Sequence, residues 1–448
     1  MSTAVPTIEV NPSLLAIANA SAAEGAPAVL AAFRAEGARE FARLGFPGSR
    51  NEDWLYTNVA PIAEGTFTRG AGSRVVELNT IAPFLFGNPE WPRVVFVDGV
   101  LSPSLTTLEA LPDGVRVQTM ADAAAADSDL LSRHLGTIVP STRDAFAALS
   151  ASCAGNGVVV HVAKEMVSDI PLHLVHVVTG DADGVLVQPR HLIVVERHAK
   201  ASVVESFVAL GQSQSFTNAV TEVVVEDGAT LNHTRVQRDS RRALHVGTVE
   251  ARQGRDSHFV SFSLIAGSAL SRTNIYTALA GEGCGTTLNG LYLLDGTQHG
   301  DTQTRVEHIA PRCFSRELYK GLLDGASHGV FNGKVYVHPE AQKTDGKQTN
   351  QTLLLSDKAR IDTKPQLEIF ADDVKCTHGA TVGRIDEMAL FYLKSRGVGS
   401  TLARQLLMYA FAADVLETIE NEAVRDELER MTLARYTGVP TVETAVDR

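Results

Sequence analysis

Cysteine is scarce in this chain and widely spread. The four residues at positions 153, 284, 313 and 376 form no Cys-x-x-Cys. They make neither a disulfide framework nor a zinc finger, and such spacing fits a reducing compartment. Aromatic residues are only 6% of the chain, too few to favour a groove that stacks sugar rings. Basic residues are outnumbered by acidic ones, 40 against 52, for a formal charge of −12. That balance argues against a nucleic-acid binder, whose affinity rests on Lys and Arg neutralising phosphates. Long apolar runs are absent too: nothing approaches the ~18 residues of a membrane helix. The first basic residue is Arg34, so the opening Met-Ser-Thr-Ala-Val-Pro lacks the basic start of a secretion signal. No membrane partner is expected, and the location expected is cytoplasmic.

Motifs of independent chemistry are also missing. Gly281-Glu-Gly-Cys-Gly-Thr-Thr has the glycines of a phosphate loop without the Lys that would reach the phosphates. Leu288 to Leu294, just after it, read as a strand and turn, so no bound nucleotide is expected. There is no Gly-x-Ser-x-Gly elbow, no His-Glu-x-x-His and no paired-carboxylate motif. His299, Asp301, His308, Cys313, His328 and His338 form a His-containing stretch, but dispersed histidines of this kind are ordinary surface or core residues. The chain reads as a non-enzyme.

Three textures succeed one another along the 448 residues. Residues 1–74 are Ala-rich with helical periodicity: Leu14, Leu15, Ile17 and Ala18 suggest one helix. Pro27 opens a second, through Leu30, Phe33 and Phe41 to Gly45. Trp54 and Tyr56 beyond it read as aromatic anchors. From 75 to 383, and most clearly after about 155, short β-branched runs alternate with turn residues. Val158-Val-Val-His-Val and Glu222-Val-Val-Val are examples, and Asp-Gly pairs recur at 183, 227, 295 and 324. Strands without intervening helices exclude a doubly wound fold. A sandwich, several small barrels and a β-solenoid all suit this mainly β core. Residues 384–448 turn helical again. Asp386 is placed to cap a helix ended by Gly397, and Ser400 the next. The latter carries Leu402, Leu406, Phe411, Val415 and Leu416, an apolar face broad enough for both a core and a partner. A last helix, Glu420 to Tyr436, has the charge pairs of a surface element.

Cys376 and His378 carry the most chemistry. They stand two apart in Asp372-Asp-Val-Lys-Cys-Thr-His-Gly-Ala-Thr-Val-Gly, and in a strand such residues share a face. A thiolate beside an imidazole suits iron or zinc, yet two donors are half a site. Upstream lies Phe331-Asn-Gly-Lys-Val-Tyr-Val-His-Pro-Glu-Ala-Gln-Lys-Thr-Asp-Gly-Lys-Gln-Thr-Asn-Gln, and after it Thr363-Lys-Pro-Gln-Leu-Glu-Ile-Phe. Together with Leu390-Phe-Tyr-Leu-Lys-Ser-Arg-Gly and the N-terminal Glu52-Asp-Trp-Leu-Tyr-Thr, this resembles the SufB/SufD family of iron–sulfur cluster assembly scaffolds. The Cys-Thr-His-Gly-Ala ending is similar to the SufD branch of that family.

The resemblance implies a right-handed parallel β-helix core flanked by helical segments. It implies a scaffold role beside a SufB-like subunit and a SufC-like ATPase, with a homodimer possible in their absence. His378 matches the family histidine that holds a nascent cluster at the SufB–SufD interface, opposite a cysteine of the other subunit. Cys376 matches a neighbouring cysteine. The iron or cluster would be transient and shared, consistent with a chain that lacks a four-cysteine cluster motif. The C-terminal helices match the SufC-binding segment. Two other readings stay open: an adaptor that recruits the ATPase without touching iron, and a β-helix carbohydrate-active enzyme.

Overall fold

In the computed structural model, which describes residues 7–70, 74–87 and 90–437, strands from Val158 onward fall into two parallel sheets. One sheet contains, in spatial order, Val158–Val162, Arg190–Val195, Ser215–Val225, Leu244–Gln253, Leu270–Leu279, His299–His308, His328–Val337 and Arg360–Ile369. The other contains Leu172–Val178, Lys200–Ala209, Thr230–Arg238, His258–Ile265, Gly285–Leu294, Phe314–Leu323, Asp345–Leu354 and Lys375–Gly383. Each strand pairs with the strands one full turn before and after it. His299 lies against His328, 29 residues on. The result is a parallel β-solenoid of about eight turns.

The strand sequences explain this stacking. Every second residue points inward, and Val203, Val223, Phe259, Ile275, Leu288, Val306 and Phe331 fill one continuous core between the sheets. The Asp-Gly pairs mark corners. Gly184, Gly228, Gly296 and Gly325 all adopt positive φ, between 58° and 82°, a region that favours glycine.

The outer faces of the sheets are covered from opposite ends of the chain. Helices Pro12–Ala23, Ala28–Leu44 and Ala145–Ser152 pack Leu14, Phe41, Phe146 and Leu149 toward Phe216, Leu244 and Leu270 of the first sheet. Trp54 joins them, stacked 4.9 Å from Phe146, with the Arg272 guanidinium 3.8 Å above its ring. Tyr56 does not: it is exposed, so only one of the two expected anchors is one. Helices Ser400–Leu416 and Glu422–Thr437 cover the second sheet, with Met408, Val415, Leu416 and Leu428 in one cluster with Phe262, Leu264, Leu291 and Leu322. Residues 438–448 of the expected C-terminal segment lie outside the described residues. No helix among the described residues is long and apolar enough to cross a membrane.

The stretch expected to be all-β contains four short α-helices among the described residues, Leu78–Ile81, Met120–Ala126, Ser128–His134 and Ala145–Ser152. Met120–Ala126 and Ala145–Ser152 are Ala-rich, which favours helix, and the side chains of Thr119, Asp127 and Asp144 accept from backbone N–H groups in the first turns of the last three. Strands Val115–Thr119 and Val100–Leu101 pair antiparallel with Val158–Val162 and Arg93–Val97. They close the first end of the solenoid. At the other end, Arg360–Ile369 and Lys375–Gly383 are the terminal strands of their sheets, and no described strand pairs with their outer edges.

One buried ion pair ties the N-terminal part to the solenoid. Arg190 and Glu222 stand on adjacent strands, fully buried, with Nη2 to Oε1 at 2.7 Å. The Glu222 carboxylate also accepts from the backbone N–H groups of Gly136, Ile138 and Val139 at 3.0 to 3.3 Å. Arg190 donates to the Val139 carbonyl at 2.7 Å. Replacing Glu222 with Ala strands a buried guanidinium and three N–H donors. Glu222→Ala should therefore lose about 3–5 kcal/mol in chemical denaturation. A loss under about 1 kcal/mol would show that this node does not anchor the N-terminal part.

Candidate site at the open end of the solenoid

The last strand of the second sheet, Lys375–Gly383, is set in place by the turn before it. Lys343 forms an ion pair with Asp373. Its N–H donates to the Asp373 carbonyl at 2.7 Å, and the Lys375 N–H donates to the Thr344 carbonyl at 2.8 Å. This fixes the register: Cys376 opposite Gly346, His378 opposite Gln348 and Gly379 opposite Thr349.

Cys376 and His378 share one face, as their spacing requires. Cys376 packs at the last layer of the interior, beside a small cluster of Val335, Val337, Ala341 and Ala371. Gly346 lies directly opposite, where a Cβ would sit in van der Waals range of the Cys376 Sγ, at 3.4 Å. Burial pushes the Cys376 thiol up from its ordinary pKa. His378, two residue pairs further on, is exposed, and a Cβ on neighbouring Gly379 would meet nothing within 4 Å. The imidazole therefore stands at the mouth of the solenoid with open space beside it.

Beneath His378 runs a polar column that no sequence motif singles out. Gln348 lies one turn below it and Glu317 one turn below that. Gln348 reaches across the interior, where a Cβ on Gly333 of the opposite sheet would lie 2.3 Å from its Nε2, and donates to Glu317 Oε1 at 3.0 Å. Burial pushes the Glu317 carboxyl up to about 7. The signal is the repeat itself: once the turn length is known, residues 317, 348 and 378 fall in one column.

Among the described residues, no three His, Cys, Asp or Glu side chains converge on a point that could hold a metal ion. This chain brings together one thiol and one imidazole at an exposed strand edge, fewer donors than a tetrahedral iron or zinc site takes. Three histidines of the 299–338 stretch are engaged elsewhere. His299 contacts Thr57 Oγ1 at 2.8 Å and His328 at 3.1 Å, His328 contacts Asp362 at 2.7 Å, and His308 contacts Ser315 at 3.0 Å.

The apolar face of the C-terminal helices divides in two. Val415 and Leu416 are fully buried against the sheet, and Phe411 is half-buried with Lys320 Nζ 4.5 Å above its ring. These three anchor the helix and do not face outward. Leu402 and Leu406 are exposed. Helix Glu387–Ser395, capped by the Asp386 carboxylate at the Met388 and Ala389 N–H groups, exposes Met388, Phe391 and Tyr392. Those residues sit at helical i, i+3, i+4 spacing, a signal available in the sequence.

Comparison with known proteins gives a consistent picture. Residues 177–411 match the SufBD core domain of the SUF system for FeS cluster assembly, and residues 13–174 match the SufBD protein N-terminal region. The chain is 32% identical over 400 residues to an iron–sulfur cluster assembly SufBD family protein of Synechocystis, covering 88% of each chain. It is 32% identical over 392 residues to the iron–sulfur cluster assembly protein SufD of Escherichia coli, covering 87% of this chain and 89% of that one. The SufD of Bacillus subtilis is 27% identical over 385 residues, covering 84% of this chain and 86% of that one.

The buried carboxyl at Glu317 has a measurable consequence. Its folded pKa, about 7, is raised above the ordinary 4.5. The protonated form is favoured in the fold, so the stability it contributes is present below pH 4.5 and is lost as pH rises toward 7. Glu317→Gln keeps an acceptor for Gln348 and removes the titration. In urea denaturation at pH 5 and pH 8, the variant should gain about 2–3 kcal/mol on wild type between the two conditions. An unchanged difference would show that the carboxyl is ionised in the fold at both.

Proposed function

The chain belongs to the SufBD family of iron–sulfur cluster assembly proteins, and from that premise we propose that it is a non-enzymatic scaffold subunit whose open solenoid end receives a SufB-like partner. The observation that carries this reading is the pairing of an unpaired strand edge with an incomplete donor set at one place. Lys375–Gly383 presents free backbone donors and acceptors along its outer edge, which a strand of another subunit can satisfy. Exposed Phe370 and Val382 near that edge add apolar surface to such a contact. A partner docked there would stand beside His378 and could supply the missing ligands. Iron or a nascent cluster held between two subunits belongs to neither, and it can be released when the interface moves. An imidazole nitrogen of His378 is a suitable ligand, and Cys376, two residues away and more buried, is a second donor of lesser reach.

The exposed residues Met388, Phe391, Tyr392, Leu402 and Leu406 form the surface for a SufC-like ATPase. With no Lys-bearing phosphate loop in this chain, nucleotide chemistry falls to that partner. An adaptor that recruits the ATPase without touching iron is the second reading, favoured by the packing of Cys376 among apolar residues.

Purification of the three-component complex under anaerobic conditions, with iron and sulfide then analysed, separates the two. His378→Ala should reduce bound iron and sulfide several-fold while co-purification and the melting temperature stay at wild-type values. Normal cluster content in that variant would leave the adaptor reading standing. Leu402→Asp with Leu406→Asp tests the ATPase surface. Both residues are exposed, so the fold should change by less than about 0.5 kcal/mol while the ATPase is lost from the purified complex. Retention of the ATPase would move its docking site elsewhere.

A further inference from the structure

Cys284 and Cys313 are far apart in the sequence and adjacent in space. Gly285 pairs with Phe314 in the parallel register, and the Phe314 N–H donates to the Cys284 carbonyl at 3.0 Å. The two cysteines therefore begin neighbouring strands of the second sheet, side by side. Strands stacked at about 4.7–4.9 Å hold equivalent Cα atoms within the about 4.4–6.8 Å range that a disulfide spans. Both side chains point into the same interior cluster. Both thiols also approach one acceptor, the Gly281 carbonyl, at 2.6 Å from Cys284 and 3.3 Å from Cys313. Each thiol acts on the other, which raises the Cys284 pKa and lowers that of Cys313.

Both side chains are buried, beneath a turn with few side chains of its own. The turn Gly281-Glu282-Gly283 offers no side chain at two of its three positions, and a surface groove lined by Gly254, Arg255, Ala280 and Gly281 runs alongside. The remaining cysteines lack such a neighbour. Cys153 contacts Ser21 and Ser152 at 3.6 Å, and Cys376 packs at the far end of the solenoid beside Gly346.

We propose that Cys284 and Cys313 form an oxidisable dithiol, converted to a disulfide between consecutive turns by hydrogen peroxide. The Cys313 thiolate attacks one peroxide oxygen, the O–O bond breaks, and with one proton the products are a Cys313 sulfenic acid and water. The Cys284 sulfur then attacks the sulfenic sulfur. The S–O bond breaks, the hydroxyl leaves as water with the Cys284 proton, and the S–S bond forms. Two thiols and one peroxide give one disulfide and two waters, so peroxide is reduced by two electrons and the sulfurs are oxidised by two. Cys313 attacks first because its neighbour Cys284 lowers its pKa and so raises its thiolate fraction. The cross-link fastens two turns beneath Leu291, Leu293 and Leu322, the residues that carry the C-terminal helices.

The test uses the whole folded chain, treated with hydrogen peroxide at neutral pH, quenched, and denatured in an alkylating reagent. Free thiols should fall from the four of the reduced chain to two. Peptide mapping without reductant should show the Cys284 and Cys313 peptides linked, and dithiothreitol should separate them. In a Cys153→Ser, Cys376→Ser variant, which keeps only the proposed pair, both remaining thiols should disappear. Cys284→Ser should leave Cys313 as a sulfenic acid that dimedone traps. Retention of all four thiols in wild type would overturn the proposal. So would a linked peptide containing Cys153 or Cys376, or oxidation of Cys313 to sulfinic acid with no linked peptide.

Discussion

The structure depends on the hydrogen bonding of strands stacked one turn apart. Each strand from Val158 onward satisfies its backbone groups with the strands before and after it, so the ladder must stop somewhere. The two ends stop differently. At the first, Val115–Thr119 and Val100–Leu101 reverse direction and close the sheets with antiparallel pairs. At the second, Arg360–Ile369 and Lys375–Gly383 end the sheets with half-exposed or exposed residues along most of their length. The C-terminal helices cover a face of the sheet and leave this edge unpaired. An edge of this kind is a template for another strand, and its position sets where a partner subunit can add.

The same geometry explains why the donor pair lies where it does. Positions in one interior column change from layer to layer: Leu288 is apolar, Glu317 and Gln348 are polar and bonded to each other, and His378 is exposed at the top. Burying a carboxyl costs stability unless it stays protonated, and Glu317 does so until about pH 7. A polar column leading to an exposed histidine is a poor way to finish a core and a reasonable way to begin an interface. With one thiol and one imidazole, the described chain holds too few donors to keep a metal by itself. That incompleteness suits a subunit that shares its cargo.

Much of this is legible in the sequence, for physical reasons. The Asp-Gly pairs report corners because only glycine readily tolerates the positive φ that those corners need, as Gly184, Gly228, Gly296 and Gly325 show. Asp386 reports a helix start because its carboxylate bonds the first free N–H groups. The mainly β core with helices at both ends is as the residue patterns imply. The helices between 120 and 152 are hidden because they are short and lie between strands. Tyr56 departs from its expected role because aromatic identity does not reveal which ring faces inward. The Glu317–Gln348 column and the Cys284–Cys313 pair are invisible for a different reason. Turns vary in length, so the residues that stack are known only after the register is. The split of the C-terminal face, with Val415 and Leu416 inward and Leu402 and Leu406 outward, likewise needs the sheet beneath it.

Hydrogen–deuterium exchange of the chain, alone and mixed with the proposed SufB-like subunit, tests the central claim most directly. The account predicts that amides of Lys375–Gly383 and Arg360–Ile369 exchange readily in the isolated chain and become protected in the complex, with the capped first end unchanged. Protection confined to other surfaces, with these two strands exchanging as before, would contradict it.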